Sequence, residues 1–152
     1  MSRPCDPWRR AACALAVTLA ALLSACSDGY PSQDVPAFEP ERMTLDERMD
    51  ALAALGRSRT AVVRFRYEVD ATCGLTVERK PRWQSAERTR VLLRQADVAL
   101  RTDGDRGVFG AVAVLGSGDA VPLYEGRRRV DALHAVALLR LLQRDCVELL
   151  LT

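Results

Sequence analysis

Lysine is almost absent from this chain of 152 residues: Lys80 stands alone among 22 basic side chains, and the rest are arginine. So uniform a choice is the mark of a GC-rich genome, which removes arginine count as an argument for function. A large excess of either charge is missing as well. The formal charge of +2 falls short of the basic balance that draws a protein to nucleic acid, so no nucleic-acid partner is expected. Histidine occurs once, at His134, leaving a single side chain suited to general-base work near neutral pH. Aromatic residues make up only 5%. No apolar run reaches the roughly 20 residues that a membrane-spanning helix requires.

What is present begins at the amino terminus. Arg3, Arg9 and Arg10 precede an uncharged stretch over residues 11–23 built from Ala, Leu, Val and Thr, with one Cys. A charged start followed by a short apolar run is the pattern of a secretory signal. The run ends on Leu23-Ser24-Ala25-Cys26, which resembles the lipobox of bacterial lipoproteins. The resemblance implies a signal peptide over residues 1–25 that is cleaved, diacylglycerol on the Cys26 sulfur, and a further acyl chain such as palmitate on its new amino group. Several chains anchor firmly, because each buried methylene contributes about 0.8 kcal/mol and one chain alone gives only marginal binding. Ser27, at the place where members retained in the inner membrane carry Asp, is similar to members sent to the outer membrane. The expected location is therefore the periplasmic face of the cell envelope, with the outer membrane favoured over the inner.

Processing at that site changes the composition. Residues 1–25 hold three arginines and one aspartate, so the remainder keeps 19 basic and 19 acidic side chains and is neutral. Cys5 and Cys13 leave with the signal and Cys26 takes the lipid, which leaves Cys73 and Cys146. In an oxidising compartment an isolated pair of this kind reads as a disulfide, and closing so long a loop stabilises a fold by roughly 4 kcal/mol in the chain-entropy picture. Two buried thiols are the alternative. Two cysteines and one histidine match no zinc spacing, so neither a metal nor any other cofactor is expected.

Residues 26–42 are polar and contain Pro31, Pro36 and Pro40, a composition that resists helix and sheet and favours an extended tether of about 3.1 Å per residue. Tyr30 and Phe38 have the means to dock on the domain and shorten it. Residues 43–152 are long enough for one core and too short for two. Thr44-Leu45-Asp46-Glu47 fits a capping box, Leu45, Met49, Leu52 and Leu55 recur at helical spacing, and Gly56 is placed to end the helix in a left-handed conformation. From residue 63 the period is two, with Val63, Phe65, Tyr67 and Val69 alternating with Arg64, Arg66, Glu68 and Asp70. Further strands are expected over residues 73–79, within 89–102 as one long strand or a pair, over 108–115 after the Asp103-Gly104 turn, and over 121–124. Gly110, Ala111 and Ala113 call for a neighbour lying close to that strand. A last helix over residues 129–145 is apolar around most of its circumference, and Cys146 falls at its end. The expected fold is α+β: a small antiparallel meander of about four or five strands with an N-terminal and a C-terminal helix packed on one face. The stretch from Met43-Thr44 to Leu55-Gly56 is similar to the opening of BamE-like outer-membrane assembly lipoproteins, but a second helix before the sheet is missing and a long terminal helix is added.

Few residues carry chemistry. Asp131 lies one turn before His134 and could orient its ring, yet no local sequence ties a nucleophile to the pair, and a capping aspartate beside a packed histidine is the plainer reading. Asp103 and Asp105 lack the ligand series of a calcium loop and read as a turn. Arg127, Arg128 and Arg129 begin a helix, where positive charge opposes the macrodipole. If the fold brings Arg57 and Arg59 to them they form the best candidate for gripping a phosphate or carboxylate; a solvated loop is the plainer reading. Trp83, in a loop containing Pro81, is a candidate contact residue, since aromatic anchors are enriched at interfaces; core packing is the alternative. The residues point to a noncatalytic accessory or scaffold subunit that binds another cell-envelope protein. A binding module for an anionic envelope lipid or glycan comes second, and a small hydrolase using His134 third.

Overall fold

The structure is a computed structural model that describes residues 38–149; the lipobox, Cys26 and the tether as far as residue 37 lie outside them. In chain order come a short 3-10 turn at Pro40–Arg42, helix α1 (Leu45–Arg57), strands β1 (Arg64–Val69), β2 (Gly74–Lys80) and β3 (Glu87–Leu92), a second 3-10 turn at Leu93–Gln95, strands β4 (Ala96–Asp103), β5 (Val108–Leu115) and β6 (Ala120–Gly126), and helix α2 (Arg129–Leu149). The class is α+β. The single meander is corrected: six strands form two antiparallel sheets, β1-β2-β3 and β4-β5-β6.

The break falls at Leu93. Its side chain is fully buried and its N–H donates to the Cys73 carbonyl at 3.2 Å, one step beyond the Gly74–Leu92 pair that ends the β2–β3 ladder; from there the apolar stretch bends through a 3-10 turn rather than continuing as a strand. The division gives each helix its own support, with α1 packed on β1 and α2 crossing β4, β5 and β6. The sheets also meet at their other end. Ala61 bridges to Gly126, Val62 N–H donates to the Glu125 carbonyl at 2.9 Å, and Arg127 N–H donates to the Thr60 carbonyl at 2.8 Å. That seam brings the residues leaving α1 against those entering α2.

Local sequence accounts for the elements. The Thr44 hydroxyl accepts from Glu47 N–H at 3.3 Å while the Glu47 carboxylate accepts from Thr44 N–H at 2.7 Å, satisfying two free donors of the first turn. Gly56 does not end α1 in the left-handed region. It lies inside the helix, where a Cβ would stand 2.8 Å from the Phe65 carbonyl oxygen, so its role is to let α1 approach β1. Val63, Phe65 and Tyr67 face the core, and Arg64, Arg66 and Glu68 face out. The unexpected left-handed residue is Cys73, at φ +61°, an uncommon conformation for a residue with a Cβ. Asp70 supports this turn by accepting from Thr72 N–H at 2.8 Å and Gly74 N–H at 3.0 Å. The Thr72 hydroxyl, the Gly74 amide and Arg90 together hold the Asp70 carboxyl well below the usual carboxylate range.

Helix α2 continues beyond residue 145, so Cys146 lies within it. Ala132, Ala135, Leu138, Leu139 and Leu142 are fully buried, but Val130 and Leu133 stand about 40% exposed, and the helix is not covered all round. The small residues of β5 serve two neighbours. Ala111 and Ala113 are fully buried on the face that α2 crosses, whereas a Cβ on Gly110 would meet the Tyr124 carbonyl at 2.7 Å. Arg140 and Gln143 have a task beyond solvation. The Arg140 guanidinium donates to the Val98 carbonyl at 2.9 and 3.0 Å, and the Gln143 amide donates to Leu93 and Ala96 carbonyls at 2.7 Å each, covering carbonyls along the edge strand β4.

Candidate functional site

Two surface features combine residues with chemistry to offer. The first is the tip of the β2–β3 hairpin. Trp83 there is 88% exposed, which removes the core-packing alternative. The Arg82 guanidinium sits 5.6 Å from its ring centroid, within reach of a cation–π contact. Arg64 and Lys80 lie directly opposite each other on β1 and β2, a like-charge pairing that works against the sheet. Elsewhere on this outer face charge is neutralised: Arg88 and Arg66 share Glu78 at 2.8 and 3.9 Å, and Arg90 holds Asp70 at 2.7 Å. Among the described residues Arg64, Lys80 and Arg82 form no ion pair.

The second feature is a groove of about 420 Å³ where α1 ends and α2 begins. Phe38, Ala51, Ala54 and Leu55 supply its apolar wall, and Arg59, Arg128 and His134 its basic one. Phe38 stacks on the His134 ring with centroids 3.9 Å apart and planes at 21°, so the last residues before the domain are docked on it. Polar groups form a chain beneath. The Ser58 and Thr60 hydroxyls are 2.8 Å apart, and Thr60 donates to the Asp131 carboxylate at 2.6 Å, whose other oxygen faces Arg128 at 3.9 Å. Tyr124 sends its hydroxyl to the same place, beside Ser58 and Thr60. It is fully buried and lines the neighbouring cleft with Arg79 and Glu125, not this groove. Of the five arginines expected to meet here, Arg59 and Arg128 line the same groove.

The hydrolase arrangement is not assembled here. Asp131 is bound by Thr60, and among the described residues no hydrogen bond joins His134 to Asp131 or to Ser58. At the β4–β5 turn, Asp103 accepts from Arg106 N–H at 3.2 Å. A smaller cleft nearby, about 190 Å³, is lined by Arg79, Arg101, Arg106, Asp103 and Glu125, but Arg79 is already held by Glu125 at 3.0 Å. Cys73 and Cys146 are brought together from β2's entry and the end of α2. Both are buried thiols in this structure, and Cys73 Sγ lies 3.3 Å from the Cys146 carbonyl oxygen. Burial, helped by the neighbouring Cys73 sulfur, pushes the Cys146 thiol up to about 12.

Tyr124, Ser58 and Thr60 were not legible as part of a site. Tyr124 carries one faint signal, a glycine two places on along the same strand: its ring lies over Gly126 where any Cβ would collide with the hydroxyl. Comparison with protein-family models, with curated proteins and with solved structures finds no match to this chain.

Proposed function

We propose that this chain is a noncatalytic accessory protein of the cell envelope, anchored by lipid on Cys26 at the periplasmic face of the outer membrane, and that its domain holds another envelope protein. The observation that supports this reading is the hairpin tip. A tryptophan 88% exposed, with the Arg82 guanidinium 5.6 Å from its ring and Arg64 facing Lys80 at the base of the same hairpin, gains little for the free domain. On a partner it becomes an anchor: burying the indole in an apolar pocket with an acidic rim removes both its exposed surface and the repulsion between Arg64 and Lys80. A binding role, rather than catalysis, also suits the commitment of Asp131 to Thr60 and of the His134 ring to Phe38.

The test replaces Trp83 in the full chain with a photo-crosslinking amino acid and irradiates living cells. One discrete protein adduct is expected, and Trp83→Ala should remove the partner from affinity purifications while changing stability by no more than about 0.5 kcal/mol. Unchanged co-purification by Trp83→Ala, or an adduct confined to lipid, would overturn the reading.

A further inference from the structure

Taking the Trp83 tip as a protein contact, as proposed above, we infer that β3 is its docking edge: an extended, acidic segment of the partner protein adds to β3 as a further strand. The backbone of β3 supports this. The Gly74 carbonyl takes the Asp70 N–H at 3.0 Å and the Cys73 carbonyl takes the Leu93 N–H at 3.2 Å, which fixes the phase of the ladder, because antiparallel residues turn their polar groups alternately toward and away from the neighbouring strand. Glu87, Thr89 and Val91 therefore bond to β2, while Arg88 and Arg90 turn their N–H and C=O groups outward. Among the described residues no hydrogen bond reaches those groups, and Glu87 to Arg90 are four exposed residues in a row. The other edges are covered. The Phe65 carbonyl of β1 lies under Gly56 of α1, and Arg140 and Gln143 take the Val98 and Ala96 carbonyls of β4. On β6 the Tyr67 hydroxyl donates to the Leu123 carbonyl, and Val62 N–H to that of Glu125.

An open edge is ordinarily blunted by charged side chains lying along it. Here they are drawn away. Arg88 reaches back over the sheet to Glu78 at 2.8 Å, and Arg90 to Asp70 at 2.7 and 2.9 Å and to the Thr72 hydroxyl at 2.8 Å, so neither guanidinium caps the β3 backbone. Both remain accessible on this face, and Arg88 shares Glu78 with Arg66. A strand added to β3 would set its alternate side chains beside Arg88 and Arg90, where a carboxylate is favourable and a cation is not. Two copies paired about the middle of β3 would oppose arginine to arginine, so charge selects an acidic segment rather than a second copy of this chain. The edge also joins two further features. The Trp83 loop leads directly into Glu87, and at the far end Arg90, Val91, Leu92 and Leu115 border a cleft of about 480 Å³. A segment lying along the roughly 20 Å of β3 would run from the indole to an apolar seat. In strand addition backbone bonds supply affinity, and side-chain seats of this kind supply selection.

The experiment uses the full chain in living cells, with a photo-crosslinking amino acid in place of Trp83 or, in a second strain, of Thr89 in the exposed middle of β3. Both positions should capture the same protein, and the adduct at position 89 should map to a segment with Asp or Glu at alternate places. Arg88→Pro removes one outward N–H and leaves the ladder donors of Glu87 and Thr89 in place, so the domain should melt within about 4 °C of the parent while recovery of the partner falls about tenfold. Arg88→Ser, which keeps the N–H and loses the charge, should lower recovery about threefold. Capture at position 83 but none at 89, an adduct at 89 on a segment without alternating carboxylates, or full recovery of the partner by folded Arg88→Pro overturns the docking edge and leaves the Trp83 contact standing. An adduct at 89 with a second copy of this chain replaces the partner with a dimer and likewise overturns it. Absence of a protein adduct at both positions overturns the two readings together. Should Arg88→Pro unfold, the adduct at position 89 decides alone.

Discussion

Arg48 shows how much one side chain can organise. It is 5% exposed, and its guanidinium donates to the Pro40 carbonyl at 2.9 Å, reaches the Glu41 carbonyl at 3.4 Å and pairs with Asp145 near the end of α2. The Pro40–Arg42 turn, α1 and the far end of α2 are tied by one group. Removing it leaves the partly buried Asp145 carboxylate with only the exposed Arg144 at 3.6 Å and frees two carbonyls, and breaking such pairs is strongly destabilising. Arg48→Ala should therefore cost about 3 kcal/mol in urea unfolding, and Arg48→Lys, which keeps the charge but not the fork, should recover only part of it. A loss below about 0.5 kcal/mol for the alanine variant would put Arg48 with ordinary surface positions. The sequence carries a hint of this role: position 48 falls between Leu45 and Leu52 on the apolar face of α1, where a charge needs a buried partner.

At the scale of elements, α1 and β1 are brought close by the absence of a side chain. Helix propensity alone favours Gly56→Ala by about 1 kcal/mol. The new Cβ, however, would stand 2.8 Å from the Phe65 carbonyl oxygen and 3.0 Å from its Cβ, and a strand backbone carrying a ladder to β2 cannot yield cheaply. The clash should win, with Gly56→Ala destabilising by about 1–2 kcal/mol in chemical denaturation. A gain would mean that helix and sheet separate without loss. The same contrast explains what was legible beforehand. The capping box at Thr44 and Glu47 and the alternation from Val63 to Val69 act within a few residues, so α1 and β1 could be read directly. The sheet break at Leu93 could not, because an apolar residue entering a core looks the same in a strand and in a 3-10 turn; the Cys73 carbonyl that receives its N–H lies twenty residues earlier. The groove was half legible. Arg128 belongs to a visible run, but Ser58 and Thr60 join it only through the pairing of Ala61 with Gly126.

For the whole molecule, the two cysteines set the order in which folding and oxidation can occur. Cys73 leads into β2 and Cys146 lies near the end of α2, so a bond between them would close most of the domain into one loop. In the folded reduced protein both thiols are buried, and with Cys146 pushed up to about 12 almost none of it is thiolate at neutral pH. Thiolate is the species that attacks a disulfide or an alkylating reagent, so the native reduced fold protects its own thiols. Under the proposed envelope location, a bridge between them would have to form before the core closes, while the chain is still folding. Protein recovered from the periplasm should show no titratable thiol at these positions after denaturation without reductant. Protein folded under reducing conditions should show two, and should resist iodoacetamide until it is unfolded. Cys73→Ser should lower stability relative to the bridged form by about 4 kcal/mol, on the order of 20 °C in Tm for a domain of this size. If periplasmic protein retains both thiols and melts with the Cys73→Ser variant, the pair is a packing contact, and the domain relies on Arg48 and its core to hold the two ends together.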